Sequence, residues 1–215
     1  MQLATSRRIA GTMISRRSLI AALGASALAV GLGAHAETES PAAVIRSFYD
    51  VLLSTMKDGQ RLGFAGRRDR LTPAISKTFD FPLMTRLTVG PPWATLTPEQ
   101  QQQILVGFSA FSIATYANRF DDYSGEQFQV DDTPTTLANG DVIVKSQLHE
   151  QGGDTVELDY LMRQNGDGWR AVDVYLSGTV SELAVRRSEF SSVLRRAGPS
   201  ALVELLQKKV AELSG

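Results

Sequence analysis

No cysteine occurs among the 215 residues, which excludes disulfides, thiolate metal sites and a cysteine nucleophile whatever the redox poise. Histidine is nearly as scarce. His35 and His149 are the only two, too few for a multi-histidine metal centre and poor support for a Ser-His-Asp triad. A glycine-rich phosphate loop is missing as well, because Asn165-Gly166-Asp167-Gly168 reads as a hairpin turn and lacks the strand-to-helix setting that GxGxxG needs. Neither sign of charge dominates: 22 basic residues stand against 23 acidic ones. A chain without a basic excess is a poor partner for nucleic acid.

What is present begins with residues 1–36, which hold Arg7, Arg8, Arg16 and Arg17, no acids, and an apolar run from Leu19 to Leu32. This is the composition of an export signal. Ser15-Arg16-Arg17-Ser18-Leu19-Ile20 matches the twin-arginine type, the run is diluted by Gly24, Gly31 and Gly33, and Ala34-His35-Ala36 offers a cleavage site. Residues 37–215 then form the mature chain, with 18 basic and 23 acidic residues and a net charge of −5. They hold no stretch long and apolar enough to act as a transmembrane anchor, and they suffice for a single domain.

Ser40-Pro41 caps a first helix whose Val44, Ile45, Phe48, Leu52, Leu53 and Met56 share one face until Gly59. Thr72-Pro73 and Phe81-Pro82 repeat the start signal and predict two short helices, ending near Thr78 and before Gly90. Pro91-Pro92 prevents their continuation. Thr97-Pro98-Glu99-Gln100 is a capping box opening a longer helix to about Asn118, with Ile104, Leu105, Phe108 and Phe111 on one side. From Glu126 the apolar period shortens to two: Phe128 and Val130, Val142 and Val144, then Val156, Leu158, Tyr160 and Met162. Asn139-Gly140, Gly152-Gly153 and Asn165–Gly168 separate these runs, which predicts an antiparallel meander of about four strands, the last from Trp169 to about Ser177. Two helices follow, roughly 181–196 and 199–213, divided by Gly198-Pro199. The fold class is α+β.

Helices over a curved sheet can fill the space between with side chains or leave a cavity for an apolar ligand, and composition does not separate the two. Two strand carboxylates, Asp159 and Asp173, stand near Tyr160 and Tyr175. Inside an apolar pocket such a carboxylate could serve as a general base with a raised pKa; paired with a nearby arginine such as Arg163 or Arg170 it is structural. Alternation sets Asp173 with Trp169 and Tyr175, opposite Val172, Val174 and Leu176. His149 reads as a surface residue near a strand end.

The order of motifs "FDFPLMTRLTVGPPW", "LTPEQQQQILVGFSAFSIATYA", "FDDYSGEQFQV" and "GWRAVDVYLSGTVSELAVRRSEFSSVLRRAGPSALVELLQKK" resembles the MlaC, or toluene-tolerance, family of periplasmic lipid-transport proteins over nearly the whole mature chain. Gly178-Thr179-Val180-Ser181-Glu182-Leu183, the "RRSEF" run and "VGPPW" resemble its hopanoid-associated branch, HpnM. The resemblance implies an NTF2-like fold whose helices pack over the sheet and enclose an apolar cavity for acyl chains. It also implies a carrier with no cofactor, working with an inner-membrane transporter complex and an outer-membrane acceptor or donor. Opposing helix and strand faces then place the lipid among Val44, Phe48, Leu52, Phe79, Met84, Trp93, Phe108, Phe111, Leu158, Tyr160, Val172 and Val174. In this reading the segment from Gly90 to Trp93 forms a movable lip. Two other functions fit the same sequence: an NTF2-like isomerase or dehydratase using Asp159, Tyr160, Asp173 and Tyr175, and a structural adaptor of an envelope complex with a filled core.

Overall fold

A computed structural model describes residues 39–215; the predicted export signal and its cleavage site lie outside the described residues. Among the described residues five α-helices, α1 (Pro41–Lys57), α2 (Gly59–Thr78), α3 (Phe81–Val89), α4 (Pro98–Arg119) and α5 (Glu182–Ser214), pack with one antiparallel sheet. The starts of α1, α3 and α4 follow the sequence signals. Ser40 accepts from the Ala43 amide at 3.2 Å, Asp80 accepts from Leu83 at 3.0 Å, and Thr97 and Gln100 close a reciprocal capping box. Each satisfies amides that the first helical turn leaves without partners.

The second helix corrects the sequence reading. Thr72-Pro73 does not open a helix; Pro73 sits inside one that reaches back to Gly59 across a break at Gly63, whose φ is 61°. Pro73 is tolerated because it and Asp69, the residue whose carbonyl loses its partner, are both exposed. No regular apolar stripe marks residues 59–70: the buried side chain there is Arg67, and Phe64 packs only partly against the core. Arg67, only 8 % exposed, donates through its guanidinium to the Ala117 carbonyl at 2.8 Å and to the Gly59 carbonyl at 2.9 Å. Arg67 thus ties the end of α4 to the start of α2, where positive charge suits a helix C-terminus. Gly59 permits that approach: a Cβ there would lie 2.0 Å from the Asp121 carbonyl oxygen.

The sheet contains seven strands, not about four: β1 (Gln127–Val130), β2 (Thr135–Thr136), β3 (Val142–Val144), β4 (Ser146–His149), β5 (Thr155–Asn165), β6 (Gly168–Leu176) and β7 (Val180–Ser181). The order of the meander is as read, but its runs are interrupted. β3 and β4 follow one register along β5, Val144 opposite Tyr160 and Gln147 opposite Glu157, and are divided at Lys145. β1 and β2 are divided by residues 131–134, which include Pro134, a residue with no amide for the ladder. β7 is a short return strand on β6. The turn at Asn139-Gly140 forms with Gly140 at φ 85°.

A bulge breaks the alternation of β6. Leu161 pairs with Asp173 and the adjacent Met162 with Ala171, so Val172 is the extra residue. Parity therefore changes at this point. Trp169 and Ala171 join the face of Val174 and pack on the core, whereas the sequence reading had set Trp169 with Asp173. Ala171 also bonds sideways: its carbonyl accepts the Asp80 amide at 2.9 Å, and Phe79 forms a parallel bridge with it. The Phe79-Asp80-Phe81 stretch is thereby pinned between α2, α3 and the sheet.

Asp141, 4 % exposed, takes two hydrogen bonds from Arg163, 2.8 Å from Nε and 2.6 Å from a terminal nitrogen. The Arg163 guanidinium holds this carboxyl below its ordinary value of 3.8. A depressed folded-state pKa gives stability that is fully present above the unfolded value and is lost as pH falls through the folded one. Asp141→Asn should consequently be less stable than wild type by a constant margin above about pH 5, and that margin should shrink below about pH 4. Urea denaturation of both proteins across this range measures it; a margin independent of pH would show that the ion pair is not its source.

Candidate functional site

Between the helices and the sheet lies a cavity with about 870 Å³ of empty space, its open mouth included. Its wall is built from every layer: Tyr49 and Leu52 of α1, Phe79, Phe81 and Met84 around α3, Leu158 and Tyr160 of β5, and Val174 and Leu176 of β6. One stripe of α4 contributes Phe108, Phe111, Ser112, Thr115, Tyr116 and Arg119, with Phe120 just beyond, and the first turns of α5 add Glu182, Leu183 and Arg186. The aromatic rings support one another edge to face, with Phe81 and Phe108 centred 6.1 Å apart and Phe108 and Phe190 5.8 Å apart.

Eight of the twelve residues assigned to the lipid site from sequence stand on this wall: Leu52, Phe79, Met84, Phe108, Phe111, Leu158, Tyr160 and Val174. The other four do not. Val44 and Phe48 are buried in the helical core, where the Phe48 ring packs edge-on against Phe79 at 5.7 Å and Tyr116 at 5.4 Å. Val172 is the bulge residue, buried outside the main apolar cluster. Trp93 belongs to a 3-10 turn, Pro91–Thr95, held by a Trp93 amide bond to Gly90 and by the Gln101 side chain on the Trp93 carbonyl at 2.9 Å. No residue of that turn lines the cavity, which corrects the reading of the segment as its lip.

Sequence reasoning missed the run of α4 past Phe111. The spacing of Phe108, Ser112, Tyr116 and Phe120, four apart, continues one helical face and was the available signal. The charged wall residues Arg119, Glu182 and Arg186 carried no such signal. Arg119 is exposed. Arg186 pairs with Glu182 at 3.3 Å and Glu189 at 3.6 Å, and its guanidinium lies 5.0 Å from the centre of the Phe111 ring. These groups form the polar rim of an apolar space.

The two strand carboxylates are elsewhere. Leu158 and Tyr160 face the cavity, so Asp159 between them faces away, into a polar groove with Gln129, Asp131, Lys145 and Glu157. Burial pushes its carboxyl above the ordinary value. Asp173, 4 % exposed, is a helix cap: its carboxylate accepts from the Ser181 hydroxyl at 2.5 Å, the Leu183 amide at 2.9 Å and the Val174 amide at 2.8 Å. Tyr175 pairs with Asp159 across the strands and is likewise off the cavity. Of the four residues considered for acid–base chemistry only Tyr160 reaches the cavity, so neither carboxylate is placed as a base there. His149 is at the surface, beside Thr155 at 3.0 Å. Among the described residues no three acidic or histidine side chains gather as metal ligands, and no helix is long and apolar enough to cross a membrane.

The model of a protein family described as "MlaC protein" matches residues 46–208. A solved structure of the phospholipid-binding protein from Ralstonia solanacearum, in complex with a phospholipid, superimposes with a TM-score of 0.72 at 27 % identity, covering 82 % of this chain and 99 % of that one. No curated protein matches the sequence.

Proposed function

Because the chain belongs to the MlaC family, we propose that it is a carrier that accepts a lipid from one membrane-bound partner, shields its hydrocarbon from water and surrenders it to another. The observation that carries this reading is the apolar cavity between helices and sheet. A matched protein of known structure holds a phospholipid, which supports the same ligand class here. Shielding is the chemistry required: each methylene removed from water is worth ~0.8 kcal/mol, so a free lipid tail is scarcely soluble. The wall residues of α1, α4, β5 and β6 are assigned to the tails. Arg119, Glu182 and Arg186 are assigned to the head group, where charge keeps its access to water. No step of this activity requires a cofactor, and the placement of Asp159 and Asp173 off the cavity wall favours it over the isomerase or dehydratase reading.

In the same proposal the fold is NTF2-like, the compartment is the periplasm after cleavage near Ala36, and the partners are an inner-membrane transporter complex and an outer-membrane acceptor or donor. The run Gly178–Leu183 and the "RRSEF" segment, which resemble HpnM, support a hopanoid as cargo alongside a phospholipid. The test is native mass spectrometry of protein purified from its own envelope, followed by solvent extraction. A stoichiometric phospholipid or hopanoid is expected. Protein recovered empty, and unable to take up either lipid from vesicles, would refute the carrier.

A further inference from the structure

Three cations gather by the cavity mouth, and two of them are already paired. Arg186 faces Glu182 at 3.3 Å and Glu189 at 3.6 Å, and Lys209 faces Glu189 at 2.8 Å. Both lie against the Phe111 ring, 5.0 Å and 5.4 Å from its centre. Two cations thus share two carboxylates, and the group is neutral as a whole. Arg119 is the third. It lines the same wall and is exposed, and among the described residues it forms an ion pair with no carboxylate. Asp121 and Asp122, next along the chain, stand off the cavity wall.

The mouth therefore carries one uncompensated positive charge, on a chain whose residues 37–215 sum to −5. Its local sign is opposite to that of the protein. Thr115, Tyr116 and Phe120 beside Arg119 are wall residues too, so the apolar stem of the arginine lies along hydrocarbon while its guanidinium keeps its water. A place in the last turn of α4 suits the charge. It leaves the planar fork of N–H donors open, and that fork matches the paired oxygens of a phosphodiester.

We infer that Arg119 seats the phosphate of the bound lipid, so that the cavity selects a phospholipid over a neutral lipid with the same hydrocarbon. This rests on the carrier reading and narrows its cargo: a hopanoid without an anionic group gains nothing from Arg119. The apolar wall recognises the chains, and the arginine fixes which end of the lipid stays at the mouth.

The test is displacement of a fluorescent acyl probe from the full mature chain by dioctanoyl phosphatidylglycerol and by dioctanoylglycerol, which share their chains and differ by the phosphoglycerol group. Arg119→Gln should weaken binding of the phospholipid about fivefold to tenfold, as expected for loss of a charge-assisted hydrogen bond at a hydrated rim, and that of the neutral lipid less than about twofold. Arg119→Lys keeps the charge without the fork and should fall between, which keeps the test decisive if the glutamine variant folds poorly. Added salt should erode the wild-type preference for the phospholipid and leave the ratio in Arg119→Gln unchanged, a response that a helix-stabilising role alone would not give. Equal weakening of both lipids, or of neither, would overturn the inference and leave Arg119 to the end of α4. Displacement of the phospholipid by inorganic phosphate at constant ionic strength would assign the guanidinium to a free anion and overturn it as well. A wild-type protein that binds neither lipid would instead overturn the carrier reading, and this site with it.

Discussion

Leu158→Trp is expected to lower lipid affinity about a hundredfold while leaving the fold intact. Leu158 is only partly buried and lies on the cavity wall next to Tyr160, so an indole in its place extends into empty space. The residue's main structural duty is met by its backbone, whose carbonyl accepts from Ser146. The indole instead excludes lipid. Displacing three or four methylenes back into water at ~0.8 kcal/mol each costs about 3 kcal/mol, which is the hundredfold loss. Leu52 on the same wall is fully buried, and Leu52→Trp should by contrast overpack the core and unfold the protein more easily. Retained lipid and melting temperature together decide the matter. Lipid held by a folded Leu158→Trp at wild-type affinity, or lost only from variants that also melt early, would mean that this wall is not the binding surface.

The second large effect is on stability. Asp173→Ala is expected to cost about 3 kcal/mol, because it strips three hydrogen bonds from a buried cap and leaves the Leu183 and Val174 amides without partners. For a domain of this size that is a fall of about 10 °C in melting temperature. Asp173→Asn keeps one acceptor oxygen for the two amides and should lose about half as much. The same turn of α5 supplies Glu182, Leu183 and Arg186 to the cavity, so bound lipid should also exchange faster in the alanine variant. In neither Asp173→Asn nor Asp159→Asn should the mass of the bound lipid differ from wild type. A product made by wild type and lost in a folded asparagine variant would instead mark a chemical step, for which removal of a general base costs about 10²–10⁴ in rate.

These two residues also show what the sequence carries and what it leaves out. Leu158 was placed on the inner face because alternation along β5 is regular, with Leu158, Tyr160 and Met162 in step. Asp173 lies outside the reach of such counting. Its partners come from residues eight and ten positions on, through a turn whose geometry is not written in any period. Val172 and Trp169 are misplaced for a related reason: one extra residue in β6 reverses the parity between the positions on its two sides. Residues 59–70 stayed unassigned because their buried anchor is an arginine bonded to backbone carbonyls, a pattern with no hydrophobic signature. Caps and hairpin turns, by contrast, are local chemistry. Ser40-Pro41, Thr97–Gln100 and Asn139-Gly140 were therefore legible where the long-range contacts were not.

The bridge between Phe79 and Ala171 has a consequence for the behaviour of many copies at once. One flank of β6 pairs with β5 along its length; the other is occupied by β7 at Tyr175 and Leu176 and by the Phe79-Asp80 backbone at Ala171. An apolar strand with an open flank is a template on which a second molecule can add its own strand, the first step of ordered aggregation. Here the chain covers that flank near both ends with its own backbone, leaving no run of free amides long enough for a stranger to register. The apolar positions of β6 are thereby kept from recruiting a neighbour's strand along that flank.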